Sequence, residues 1–153
     1  MEIEYLKSLE NIYRTNIKLR RIGVSETEIS NLENNLNLKL PKAYKEFLFI
    51  AGKRDSIIGD WNRGYDDLEF MQEYAKEAFQ RVGLQMKPFW CFAEYNDADS
   101  SLFFFLDEGD NPPVYNFVAD KVILDDNGEE VFYKKTHESF LAFIDKKIDN
   151  ALQ

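Results

Sequence analysis

Two helix starts and a helix stop fall between Gly23 and Gly52, and they limit what the rest of the chain can be packed around. Ser25 followed by Glu28 is a capping box, in which each side chain satisfies a backbone N–H that the first helical turn leaves unpaired. Val24 and Ile29 flank it as a hydrophobic staple. Ile29, Leu32 and Leu36 continue at helical spacing, with Asn34 and Asn35 suited to ending the helix near Leu36. Leu40-Pro41 then starts a second helix. Proline fits the first helical position because its missing N–H would have no partner there, and it holds the preceding residue extended. Tyr44, Phe47, Leu48 and Ala51 line one face of this helix, and Gly52 is placed to stop it.

With 153 residues, 44% apolar and 15% aromatic, the chain can bury one core, and we expect a single domain over residues 1–153. There is no Pro-, Gly- or Ser-rich linker, no repeat and no apolar run near the ~20 residues of a membrane span. The acidic start, Glu2 and Glu4 around Ile3, is unlike a secretory signal. The lone cysteine, Cys91, excludes an internal disulfide. A cytoplasmic protein is the expectation.

The formal charge of −9 is unevenly spread: residues 1–65 are net +2 and residues 66–153 net −11. Eleven carboxylates and one base, Lys121, lie between Glu94 and Glu130. Such a surface repels nucleic acid and anionic membrane and attracts cationic partners, although turn carboxylates also serve solubility alone.

In chain order, Ile3, Leu6, Leu9 and Tyr13 predict an amphipathic helix from Glu2 to about Arg14. Residues 53–67 read as a long loop with Trp61, Gly64 and Tyr65; a loop of that length binds something or covers a core edge. Asp66 or Asp67 can cap a third helix along Leu68, Met71, Ala75, Ala78, Phe79 and Val82, which Gly83 stops. The period then changes. Phe89–Ala93, Leu102–Leu106 and Val114–Val118 are short aromatic-rich strands, and Asn127-Gly128 between Lys121–Leu124 and Glu129–Tyr133 signals a hairpin. A final helix is expected from about His137 to Ala151, with Phe140, Phe143, Ile144 and Ile148 on one stripe. Helices, then strands, then a helix indicate an α+β fold. We expect an antiparallel meander of five to six strands, with the N-terminal helices and the C-terminal helix packed on one face.

Gly23-x-Ser25-x-x-Glu28-Ile29-x-x-Leu32-Glu33, followed by Leu40-Pro41-x-x-Tyr44-Lys45-x-Phe47-Leu48, resembles the N-terminal signature of the SUKH superfamily. Ala98-Asp99, Pro113-Val114-Tyr115 and Ser139-Phe140-x-x-Phe143 are similar to its later turn, strand and closing helix. The resemblance covers about residues 20–148. It departs at Ala98, where the family leads one to expect glycine, and in a longer helical insert at about 66–82. It implies a non-catalytic immunity protein that binds and neutralises a cognate toxin, often a nuclease. The alternative it implies is a regulatory protein–protein module of the kind found in cell-wall synthesis. It further implies that Gly23, Glu33, Pro41, Tyr44 and Phe47 are scaffold residues.

A nuclease is cationic around its substrate channel, so the partner-binding residues expected here are Asp97, Asp99, Asp107, Glu108 and Asp110, joined by Trp61 and Tyr65. Successive turns of a meander fall at opposite ends of the sheet, which makes two acidic rims. Catalysis finds little support: His137 and Cys91 stand singly, and no nucleophile elbow, phosphate loop or dinucleotide motif is present. A carboxylate-based hydrolase would need two opposed acids in a cleft. Asp97-x-Asp99-x-Ser101 with Glu108 imitates a calcium loop, but Leu102 stands where that loop requires glycine. We therefore expect no cofactor and no metal, a basic protein toxin as partner, and a monomer or weak homodimer.

Overall fold

A computed structural model describes residues 1–95 and 98–153. Its elements are α1 (Lys7–Thr15), α2 (Glu26–Leu36), α3 (Lys42–Ala51), α4 (Leu68–Arg81), β1 (Phe89–Tyr95), β2 (Ser100–Phe105), β3 (Val114–Val118), β4 (Ile123–Leu124), β5 (Glu130–Val131), β6 (Tyr133–His137) and α5 (Phe140–Ala151). The fold is α+β, as expected, with both helices of the opening stretch where their signals put them.

The capping box at the start of α2 is made: the Glu28 N–H donates to Ser25 Oγ at 3.1 Å, and the Ser25 N–H donates to Glu28 Oε1 at 3.3 Å. Gly52 does its work differently from a left-handed stop. Its φ is −64°, an ordinary helical value, and a Cβ there would lie 2.6 Å from Val24 Cγ2 and 2.7 Å from the Leu48 carbonyl oxygen. Gly23 is tighter still, because its Cβ would stand 1.9 Å from the Phe49 carbonyl oxygen. These two glycines let the lead-in to α2 lie directly against the end of α3, where the Val24 N–H donates to Leu48 O at 2.8 Å.

The main sheet has four antiparallel strands in the order β1-β2-β3-β6. β4 and β5 form a separate two-stranded ribbon around Asn127-Gly128, so the fourth place in the sheet goes to Tyr133–His137. Of that segment, Tyr133 was expected to end the hairpin's second strand and His137 to begin the last helix, which instead starts at Phe140 with Ser139 Oγ accepting the Ala142 N–H. A polar edge strand explains the difference. Lys135 and Thr136 are exposed on this edge, where lysine discourages further pairing, while Tyr133 packs edge-on to Phe103 and Phe105.

Strand alternation gives the sheet two apolar faces. Trp90, Phe92 and Phe104 join Leu6, Leu9, Tyr44, Phe47, Phe140 and Phe143 in the larger core, covered by α1, α2, α3 and α5. Cys91, Phe103, Phe105 and Phe117 face the other way and pack on Met71, Ala75, Ala78 and Phe79 of α4. The insert helix thus closes the second face, where the sequence reading placed all helices on one. Ala98 has φ +70°, the left-handed conformation in which glycine would be unstrained.

α4 also seals the edge of β1. Gln72, buried in the helix, donates from Nε2 to Cys91 O at 2.7 Å and accepts the Cys91 N–H at 2.8 Å, as a neighbouring strand would. Replacing Gln72 by alanine leaves both backbone groups without a partner inside the protein and should cost about 2–3 kcal/mol. Urea denaturation of the pure variant measures this, and a loss under about 0.5 kcal/mol would mean water replaces the side chain.

Candidate functional site

The two acidic rims are separate, as successive turns require. The turn between β1 and β2 shares its end of the sheet with the turn after β3, where the Ala119 N–H donates to Asp99 O at 2.8 Å. Asp97 lies outside the described residues. Trp61 belongs to this same end: its indole stacks on Tyr95 with ring centroids 5.9 Å apart, and its carbonyl accepts the Glu94 N–H at 2.8 Å. It is half-buried against the larger core. Tyr65 is half-buried too, and its hydroxyl donates to Glu28 O at 3.1 Å, tying the loop to α2.

Asp107, Glu108 and Asp110 sit at the opposite end, and each has a partner within the chain. Asp107 pairs with Lys87 at 2.9 Å, which raises the pKa of that ammonium. Glu108 accepts the Tyr115 hydroxyl at 3.0 Å; burial first, then this carboxylate, pushes the phenol up to about 12. The Asp110 carboxylate accepts the Lys42 N–H at 3.3 Å and its carbonyl accepts the Ala43 N–H at 2.8 Å, so it caps α3. Asn111 beside it accepts the Leu141 N–H at 3.0 Å, at the start of α5. This turn therefore fastens two helix N-termini to the sheet; of its acids Asp107 and Asp110 are exposed and Glu108 is half-buried. Glu108 lies beyond the far end of β2 from Asp99, so the calcium-loop spacing does not survive folding.

Other members of the acidic run are also engaged. Glu94 is buried, bonded to Arg63 Nε at 2.8 Å and to the Ala98 N–H at 2.7 Å. Asp125 Oδ1 accepts the Asn127 and Glu129 N–H groups, both at 2.9 Å, and holds the ribbon's turn. Among the described residues no group of three His, Cys, Asp or Glu is placed to hold a metal ion, and no helix is long and apolar enough to cross a membrane.

His137 lies in β6 with its ring edge-on to Phe143 at 5.4 Å, and burial followed by Lys147 and Lys146 lowers its pKa. Cys91 is fully buried, its thiol donating to Ala93 O at 3.3 Å, and burial pushes its pKa up to about 12. A thiolate is the reactive form, so Cys91 should stay unmodified by iodoacetamide near neutral pH and become modified on unfolding in urea. Mass spectrometry reads both states; rapid native labelling would show that the second core opens.

One exposed surface went unread in the sequence. α4 turns Phe70 and Tyr74 outward, 66% and 46% exposed, on a helix whose opposite stripe is buried. The signal was present: Glu69, Glu73 and Glu77 recur at the helical interval, and Phe70 falls off the apolar stripe.

Residues 23–146 match the SMI1/KNR4 family (SUKH-1), well over half of the chain. The chain belongs to that family. No curated protein matches it. The matched span begins at Gly23, passes through the capping box and Leu40-Pro41, and ends within α5. Membership in SUKH-1 fits a non-catalytic immunity or regulatory role exercised through protein–protein contact. The residues that carry the family pattern are buried or bonded inside the SUKH-1 domain. Glu33 Oε2 accepts the Leu40 N–H at 2.7 Å and locks the turn between α2 and α3, while Tyr44 and Phe47 stack in the larger core.

Proposed function

We propose that this SUKH-1 chain is an immunity protein that binds and neutralises a cationic protein toxin, a nuclease domain, without catalysing a reaction. Family membership supports a binding role, and the observation that carries the choice of partner is the net −11 of residues 66–153. A nuclease channel is positive because its substrate carries a negative charge at each phosphate. An acidic protein approaching it gains a steered on-rate and competes for the same site.

The acidic rims are the proposed contacts: Asp99 with Trp61 at one end of the sheet, and Asp107, Glu108 and Asp110 at the other, joined by Tyr65 beside α2 and by Asp97, which lies outside the described residues. The test uses an inactivated nuclease-toxin domain, sought in the reading frames next to this gene. Binding by calorimetry should weaken as salt rises, and Asp97→Asn with Asp99→Asn, or Asp107→Asn with Glu108→Gln, should weaken it and flatten that dependence. If both double variants bind as the parent does, the rims are not the contact. If the parent neither binds nor protects cells, the immunity reading fails.

A further inference from the structure

We propose that the outer face of α4, with the groove between it and Leu38, is where the partner docks: a Lys- or Arg-bearing protein segment that lodges an apolar side chain beside Phe70. This rests on the binding-module reading and adds to the sheet-end rims a further contact, apart from both. Helix α4 has one apolar stripe, spent on the second core. Packing within the chain therefore leaves unexplained why Phe70 and Tyr74, one turn apart, face outward. Aromatic side chains on a surface are the usual anchors of protein contacts.

The surroundings say what would meet them. A hollow of about 350 Å³ lies between Phe70 and Leu36, Leu38, Phe89 and Trp90. It adjoins a second of about 530 Å³ along Leu84, Met86 and Pro88, the two sharing Leu38, Lys76 and Phe89. Together they make an open, elongated, mainly apolar trough of a shape that suits a chain segment. Its helix side is acidic: Asp66, Glu69 and Glu73 line the first hollow, and Asp67 and Glu77 continue the charge along α4. Two bases line the trough and both are paired, Lys76 with Glu73 at 3.5 Å and Lys87 of the second hollow with Asp107 at 2.9 Å. That balance selects a cationic occupant and repels nucleic acid.

The edge of β1 supplies backbone groups as well. Gln72 occupies the outward N–H and C=O of Cys91. In the antiparallel ladder the outward-facing residues alternate, and the Leu106 N–H donating to Pro88 O at 3.0 Å sets the phase. The N–H and C=O of Phe89 consequently point out of the sheet on the side of the trough. An extended segment lying there can bond to Phe89 while its apolar side chain enters the hollow, a short form of strand addition.

Random peptides displayed and selected against the full chain test the site without knowledge of the partner. The expected winners carry Lys or Arg beside a large apolar residue, and Phe70→Ala, or Glu69→Gln with Glu73→Gln, weakens them about tenfold or more, whereas Glu10→Gln on α1 leaves them alone. Winners indifferent to both α4 variants, or no enrichment over an unrelated acidic protein, overturn the proposal. The inactivated toxin domain separates the two readings. If the parent fails to bind it, the immunity reading falls and the peptide result alone judges the trough. If the parent and both α4 variants bind it equally well, the trough is not the toxin's contact and the proposal is overturned.

Discussion

Glu46→Ala should lower the stability of the domain by about 3–5 kcal/mol, the range for stripping a partner from a buried charged network. Glu46 stands in the middle of α3 and is fully buried. Its Oε1 accepts the N–H groups of Tyr5 at 2.9 Å and Leu6 at 3.0 Å, and its Oε2 accepts the Glu4 N–H at 3.2 Å and faces Lys42 Nζ at 3.2 Å. Leu6 is the N-cap of α1 and offers no capping side chain; this distant carboxylate accepts its N–H and those of the two residues leading in, and answers the positive end of the helix dipole. Without it three N–H groups lose their acceptor and Lys42 its counter-ion, at the place where Leu6 and Leu9 enter the larger core. Glu46→Gln keeps one acceptor oxygen but turns an NH2 toward donors, and it should recover only part of the loss. Urea melts give the magnitude, and hydrogen exchange should show α1 amides losing protection before α3 amides. A change below about 1 kcal/mol in the alanine variant would mean the N-terminal arm is held by its apolar side chains alone.

Glu46 also shows where a linear reading stops. Periodicity found the face of α3 made of Tyr44, Phe47, Leu48 and Ala51, because that signal lies within a few residues. A glutamate between Lys45 and Phe47 looks like solvated helix surface. Its role depends on a segment some forty residues earlier returning to cover it, which no local pattern encodes. The capping box at Ser25 and Glu28 was legible because both halves lie in one helical turn, and the Asn127-Gly128 hairpin for the same reason. The sheet order was less so. Tyr133–His137 joins β3 as an edge strand with one face in solvent, so its lysines and threonine mask the alternation.

The candidate surfaces follow the same division. Counting carboxylates from Glu94 to Glu130 located acid in the chain but could not reveal that Glu94, Asp107, Glu108, Asp110 and Asp125 spend oxygens on Arg63, Lys87, Tyr115, α3 and a turn. The exposed acids of α4 were equally visible in the text. They acquire meaning once the helix is seen to cover the second sheet face, because only then is Phe70 known to point outward.

Tyr44→Ala should cost about 3–5 kcal/mol, the usual range for removing a large aromatic from a core that cannot close the gap. Tyr44 is the residue on which the helix and sheet layers meet. Its ring lies 5.3 Å from Phe104 and 5.8 Å from Phe140, both edge-on, with Phe47, Trp90 and Phe92 between 6.2 and 6.3 Å. Deleting it removes a shared neighbour from α3, α5, β1 and β2 at once, and edge-to-face pairs add to the area term. Its hydroxyl is a separate matter. The group is buried beside Trp90, and burial raises its pKa, so it stays neutral through ordinary pH and adds no pH dependence there. Tyr44→Phe therefore keeps the packing and should cost only about 1 kcal/mol, the scale of one hydrogen bond. Chemical denaturation of the pair separates ring from hydroxyl; equal losses in both would place the energy in the hydroxyl's contacts. Tyr44 is 1% exposed. The folded fraction of either variant should consequently bind a partner with parental affinity, whereas Phe70→Ala, on the open side of α4, should do the reverse and leave the melting curve nearly unchanged.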